Sequence, residues 1–326
     1  MKKWRFLAPL FQSFFYGATS ALLFATLIGA VMSPAPLLYL YRRQGIKFLI
    51  IGFCAAALIL GLLNRHVTLP GFYFLLTGGM LCCLLILLQR KQSMSTVILK
   101  TSLCLGVCLF LVFLGYYEFD LETFSLHIVQ YVEQSRTILQ TRSDFSQLVV
   151  QYPALAKFLE NPHLFSNDLL KQVPGYGINF ILFFVMINTL MLRKWKPELF
   201  SKNENILMWQ VPDVCIWLFI ACLSGVVLGY HSWMIFILNV LRILTFLYFI
   251  QGLAVIAFIF QKRKLKTFVQ VLLLFLMSLI TFPLPVSNEG LFYHVVLNIP
   301  MIIGFLDIWF RFRNQMMTPK RSPTTP

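Results

Sequence analysis

The stretch Met234–Phe260, MIFILNVLRILTFLYFIQGLAVIAFIF, contains one charged side chain in 27 residues, that of Arg242. A helix needs about 20 consecutive apolar residues to cross a bilayer. The stretch therefore predicts a transmembrane helix. It also puts a guanidinium group about 12 Å from the amino end of that helix, at a rise of about 1.5 Å per residue.

The rest of the chain repeats this pattern. Of its 326 residues, 59% are hydrophobic and 12% are charged, whereas soluble domains are about 45–50% apolar and about 25% charged. This composition excludes a soluble enzyme, a nucleic-acid-binding domain and a disordered chain. It predicts an all-α, polytopic bundle of about eight full spans, forming a single membrane domain over residues 1–326. The other seven predicted spans are Phe48–Leu63, Val67–Leu88, Val97–Tyr116, Tyr176–Leu192, Trp209–Leu228, Phe268–Phe282 and Leu291–Phe310.

The net charge of +15 is distributed in short clusters between the apolar runs. A nucleic-acid-binding protein would instead carry its Lys and Arg on one soluble face, so the expected partner is the lipid bilayer and not nucleic acid. Sorting the 27 basic residues by span places 20 on one side and five on the other, with Lys100 and Arg242 inside spans. The richer side is expected to be cytoplasmic. It includes the carboxyl terminus, where residues 314–326 are predicted to be a disordered tail.

The amino-terminal apolar stretch, Phe14–Tyr41, is interrupted by Pro34 and Pro36. Basic clusters flank it on both sides, and the charge rule assigns both clusters to the cytoplasm. We therefore expect a helix over Leu10–Val31 that reaches the far side, followed by a non-helical re-entrant return at Pro36–Tyr41. The alternative is a ninth full span with the amino terminus outside.

Small residues predict close helix packing at two places. Gly17, Ala21 and Ala25 form a stripe on the first helix, which can pack inside the bundle or against another membrane subunit. Gly78-Gly79 predicts a kink or a close approach.

Residues 117–175 form the long segment between the third and fourth predicted spans, on the extracytoplasmic side. Apolar residues from Leu121 to Leu139 recur at helical spacing, which predicts an amphipathic helix. Pro153, Pro162 and Pro174 then predict a division into short helical turns. Two interpretations are open: a packing lid without chemistry, or a lid over a ligand site.

Four polar residues are candidates for a ligand-binding site. Asn239 and Arg242 share a helix face, and His294 and Asn298 share a face of the last span at a similar depth. Because ionisable groups inside a membrane are costly, they indicate functional sites by default. The hypothesis is an outward-facing pocket for an anionic or polar group. The alternative is an interhelical hydrogen-bond network that only fixes packing. For Asp307, an i,i+4 pair with Arg311 is the expected partnership.

No catalytic pattern is present in the sequence. The seven cysteines all lie in predicted spans and are interpreted as small apolar residues. There is no metal-ligand spacing and no paired nucleophile and base. We therefore expect no enzymatic activity, no cofactor and no metal.

Three motifs carry a resemblance to a known family. The first is Trp209-Gln-Val-Pro212. The second is Asn239–Arg242 followed by Tyr248–Val255, which contains Gln251-Gly252. The third is the run from Gly304 to Arg313 that contains Asp307. Together they resemble the YybS-like bacterial integral membrane proteins, a family of unknown function that is distantly similar to the substrate-binding S components of energy-coupling-factor transporters. Trp209, Pro212, Gln251, Gly252 and Asp307 are its motif residues here.

The resemblance implies a multi-pass protein of the bacterial cytoplasmic membrane. It also implies docking of a membrane coupling subunit on small residues of an early helix. Association as a homo-oligomer is the other expected partnership. The expected function is transport-related binding of a small solute or lipid head group. The alternative is a non-transport scaffold or regulator of an envelope process.

Overall fold

The computed structural model describes residues 2–26, 29–63, 68–90, 92–116, 121–141, 162–200, 206–229, 233–266, 269–270, 272–274 and 299–313. Within these ranges the chain forms helices joined by turns and short connections, and no strand occurs. The prediction of an all-α protein is confirmed.

Eleven α-helices fall within the described ranges. They are α1 Lys2–Ala25, α2 Pro34–Gln44, α3 Ile46–Leu63, α4 Thr68–Tyr73, α5 Gly79–Gln89, α6 Met94–Tyr116, α7 Leu121–Gln140, α8 Pro162–Trp195, α9 Val214–Val227, α10 Met234–Lys262 and α11 Ile299–Phe310. A π-helical turn at Phe74–Gly78 joins α4 to α5, and short 3-10 helices lie at Gly29–Met32, Pro197–Leu199 and Ile206–Met208.

Six apolar segments among the described residues are long enough to cross a membrane, and α9 and α11 are shorter apolar helices. The predicted transmembrane helix bundle is therefore confirmed. The six segments are Leu7–Ala25, Ile46–Leu63, Leu69–Gln89, Met94–Gly115, Leu170–Trp195 and Met234–Lys262.

By internal contacts the chain forms two compact units, where the sequence predicts one domain. The first unit contains residues 1–112 and 178–204, and the second contains residues 113–177 and 205–326.

The first unit begins with an antiparallel helical hairpin of α1 and α2. The Ser20 hydroxyl donates to the Ser33 carbonyl oxygen at 2.6 Å, and the side chain of Gln44 donates to that of Gln12. The end of α2 therefore lies beside Gln12, near the start of α1. The prediction of a non-helical return is wrong, because Pro34 occupies the first position of a helix, where its missing N–H is not needed. At about 16 Å, α2 spans only about half of a hydrocarbon core.

Gly17, the first residue of the small-residue stripe of α1, packs against α3. A Cβ at Gly17 would overlap the Gly52 carbonyl oxygen, and one at Gly52 would lie 3.1 Å from the Ser13 carbonyl oxygen. Ala21 is fully buried, whereas Ala25 is exposed. Gly17 and Ala21 are therefore occupied inside this unit.

The two glycines that predict a kink adjoin the π-helical turn. A Cβ at Gly78 would lie 2.8 Å from the Phe53 ring, and one at Gly79 would lie 3.1 Å from Leu105. The extra residue of a π turn locally shifts the helix face. The absence of a Cβ here lets α3 and α6 pack closely against this segment.

The segment before the fourth predicted span differs from the sequence prediction. The predicted amphipathic helix is present as α7, and residues 142–161 lie outside the described residues. The predicted break at Pro174 is wrong, since α8 continues through it from Pro162 to Trp195.

The later predicted spans are also partly revised. The span Trp209–Leu228 is helical only from Val214, because Pro212 and its neighbours form a non-helical connection. Most of Phe268–Phe282, residues 291–298 of the last predicted span, and the tail 314–326 lie outside the described residues.

Candidate functional site

The side chain of Asn239 forms hydrogen bonds with two backbone groups of α8 beside Pro174. Its Nδ2 donates to the Lys171 carbonyl oxygen at 2.7 Å, and its Oδ1 accepts from the Gly175 N–H at 2.8 Å. These two backbone groups are four residues apart and would bond to each other in a regular helix. A Cβ at Gly175 would lie 2.7 Å from the Asn239 Oδ1, so glycine makes the insertion possible. One amide side chain thus joins α10 to α8.

This bridge predicts a specific stability effect. Replacing Asn239 with Leu leaves the Lys171 carbonyl and the Gly175 N–H without the amide, at an expected loss of about 1–3 kcal/mol. Thermal unfolding in detergent measures it. The matched background is Pro174→Ala, in which a regular helix lets the two backbone groups bond directly, so the loss becomes smaller. An equal loss in both backgrounds would contradict the bridge.

A small cavity lies beside this bridge. Its volume is about 150 Å³, and its described lining residues come from α8 and α10: Lys171, Gln172, Met234, Ile235, Leu238 and Arg242. No carboxylate is among these described lining residues. Two cations and an amide, together with three apolar side chains of α10, form a site that favours an anionic group.

Arg242 is a buried residue of the cavity lining. Its side chain is 7% exposed, and its guanidinium carbon lies 5.3 Å from the centre of the Tyr176 ring. A cation over an aromatic face is stabilised by the ring quadrupole. The guanidinium is thereby oriented while it lines the cavity.

The four predicted site residues do not form one pocket among the described residues. Arg242 lines the cavity, while the amide of Asn239 bonds to the α8 backbone. His294 and Asn298 lie outside the described residues. Lys171 and Gln172 were not predicted as site residues, because the predicted span begins only at Tyr176. The signal was the apolar, helical spacing that continues upstream of Pro174.

The three family-like motifs meet in a separate cluster of the second unit. Gln251, fully buried on α10, donates to the Gly304 carbonyl oxygen at 2.8 Å and accepts from the Val211 N–H at 2.8 Å. One side chain therefore ties α10 to α11 and to the connection that contains Trp209 and Pro212.

Two glycines allow α10 and α11 to cross at backbone contact. A Cβ at Gly252 would overlap the Pro300 carbonyl oxygen, and one at Gly304 would overlap the Tyr248 carbonyl oxygen. Such crossings at small residues are typical of membrane helices.

Asp307 and Arg313 form a buried ion pair in this cluster, with side chains 0% and 1% exposed. The Arg313 Nε donates to the Asp307 Oδ2 at 3.0 Å, and its Nη1 donates to the carbonyl oxygens of Leu207 and Trp209. The predicted Asp307–Arg311 pair is wrong. α11 ends at Phe310, and Arg311 has a φ of 45°, which turns the chain and brings Arg313 back to the carboxylate.

Neither cluster has the ligands of a metal site. Among the described residues, no group of three or more His, Cys, Asp or Glu side chains is placed to hold an ion. The chemistry available at the cavity is charge recognition and hydrogen bonding.

Comparison with known proteins gives one match. The family model described as a predicted membrane protein (DUF2232) matches residues 13–306. No curated protein and no solved structure matches the chain. The matched range includes the cavity and the Gly252–Gly304 crossing, and it ends one residue before Asp307.

Proposed function

We propose that this chain, which belongs to the DUF2232 family of predicted membrane proteins, binds an anionic group in the cavity between α8 and α10. The group would be the phosphate or carboxylate of a small solute or of a lipid head group. The proposed role is transport-related and resembles that of an S component, with binding and no chemical conversion of the ligand.

The observation that carries this proposal is the pairing of Lys171 and Arg242 on one small cavity. Arg242 is buried, and a buried guanidinium offers charge-assisted, directional hydrogen bonds that are stronger than those between neutral groups. Gln172, 8% exposed, adds an uncharged polar group. Met234, Ile235 and Leu238 provide an apolar wall that suits the acyl or hydrocarbon part of a ligand.

Entry from outside is part of the proposal. The charge distribution places the amino end of α10 on the side poorer in Lys and Arg, which is the extracytoplasmic side of a cytoplasmic membrane. The carboxyl terminus is then cytoplasmic. The cavity lies near the outer end of α10, so a ligand would arrive from the envelope side.

Energy for transport would come from a partner subunit. The sequence has no Gly-rich phosphate-binding loop. Gly17 packs against α3 and Ala21 is fully buried, so a membrane coupling subunit or a second copy of the chain would dock on another surface.

The test is ligand binding by the Arg242→Gln variant. We expect it to weaken binding about 10- to 100-fold, equal to about 1.4–2.8 kcal/mol, because an uncharged amide replaces the buried cation. Native mass spectrometry and thermal shift in a neutral detergent measure binding of inorganic phosphate, acetate, phosphatidylglycerol and phosphatidylcholine. Phosphatidylglycerol binding alone identifies a lipid head group, whereas phosphate or acetate binding identifies a free solute.

The matched control is Arg263→Gln, which removes an exposed cation just after α10 and should leave binding unchanged. A folded wild-type protein that binds none of the anions contradicts the proposal and favours the scaffold or regulator of an envelope process. If Arg242→Leu fails to fold and the wild-type protein binds no anion, these two results together support a packing role for Arg242.

A further inference from the structure

Two cysteines on neighbouring helices bring their sulfur atoms together in the first unit. The Sγ atoms of Cys83 on α5 and Cys104 on α6 are 3.3 Å apart. This is closer than ordinary van der Waals contact between sulfurs and is consistent with a weak S–H···S hydrogen bond. All seven cysteines are free thiols in this structure.

The pair lies deep within two membrane spans. Cys83 is inside the span Leu69–Gln89, and Cys104 is at the middle of Met94–Gly115. Cys104 is exposed on the helix surface and Cys83 is half-buried. Surfaces exposed at this depth face hydrocarbon, so a reagent that reaches the thiols must be soluble in lipid.

Neighbouring thiols provide an internal comparison. Cys82 is adjacent to Cys83 in sequence, and Cys108 is one turn from Cys104; both are exposed. The 3.3 Å approach joins Cys83 to Cys104. One turn before Cys83, a Cβ at Gly79 would lie 3.1 Å from the side chain of Leu105, so α5 and α6 are also in side-chain contact beside the thiol pair.

We propose that Cys83 and Cys104 are an oxidisable dithiol that a membrane-soluble quinone converts to a disulfide. In this step both S–H bonds break and one S–S bond forms. The two electrons and two protons pass to the quinone, which becomes the quinol. The covalent link would fix α5 to α6, so that their relative position depends on the oxidation state of the membrane quinone pool.

The test uses the full-length protein in lipid nanodiscs, treated with a fully substituted benzoquinone that carries a short alkyl tail. We expect the number of alkylatable thiols to fall from seven to five. Peptide mapping without reductant should show a link between the peptides that contain Cys83 and Cys104. Cys83→Ala and Cys104→Ala should abolish this link, whereas Cys82→Ala and Cys108→Ala should retain it.

Copper-phenanthroline serves as an oxidant that requires only proximity. A link formed with copper-phenanthroline but not with the quinone overturns the quinone as oxidant. A link through Cys82 or Cys108, a link between two chains, or no link with either oxidant overturns the pairing. A mass increase equal to that of the quinone identifies addition to a thiol and also overturns the proposed step.

Discussion

Gly252→Ala is expected to prevent formation of the native second unit. The new methyl group would overlap the carbonyl oxygen of Pro300, which is backbone and has no side-chain freedom to move aside. Overpacking of this kind costs about 3 kcal/mol or more. Fluorescence-detected size-exclusion chromatography of a tagged protein, with thermal unfolding in detergent, should show loss of the folded peak.

Glycine at another helical position is the control for this prediction. Gly61 in α3 has no heavy atom within 4 Å of a Cβ built on it, so Gly61→Ala should be neutral or slightly stabilising. Gly304→Ala should behave like Gly252→Ala, because its methyl would overlap the Tyr248 carbonyl oxygen. A Gly252→Ala protein as stable as Gly61→Ala would contradict the backbone crossing of α10 and α11.

Asp307→Asn should destabilise the protein by about 3–5 kcal/mol. The substitution removes the negative charge and leaves the guanidinium of Arg313 buried without its counter-ion. Arg313 also holds the carbonyl oxygens of Leu207 and Trp209, so the connection before α9 should lose its attachment as well. Thermal unfolding and limited proteolysis within residues 206–213 measure the two effects.

Arg311→Gln and Arg313→Gln are a matched pair for this test. Arg311 is exposed, and its loss should change stability by less than about 0.5 kcal/mol. Arg313→Gln should be as damaging as Asp307→Asn. The double variant Asp307→Leu with Arg313→Met should recover part of the loss, since it leaves no unpaired buried charge. Equal effects of Arg311→Gln and Arg313→Gln would instead favour the i,i+4 pair.

Apolar composition predicted the helices well because lipid imposes one requirement on every residue of a span. Helix α10 matches the predicted Met234–Phe260 to within two residues. The ends were harder to predict where proline is present. Pro212 delays the start of α9, whereas Pro174 lies inside α8 because Asn239 bonds to the backbone groups beside it.

The candidate site was only partly predictable for the same reason. Helical spacing places Asn239 and Arg242 on one face, but it does not reveal which neighbouring helix that face contacts. The partner is α8, and this makes Asn239 a backbone bridge and adds Lys171 to the cavity. A periodic pattern likewise does not reveal the left-handed turn at Arg311. The i,i+4 rule therefore pairs Asp307 with Arg311, although its partner is Arg313.

The helical hairpin of α1 and α2 has a consequence for counting crossings. The side chain of Gln44 bonds to that of Gln12 before α3 begins at Ile46. The chain between these two residues therefore makes an even number of membrane crossings. A hairpin that enters and leaves the membrane through the same face does not change the side on which later loops lie. We therefore expect a reporter fused after Gln44 to report the same side of the membrane as one fused at the amino terminus, however deeply α1 reaches.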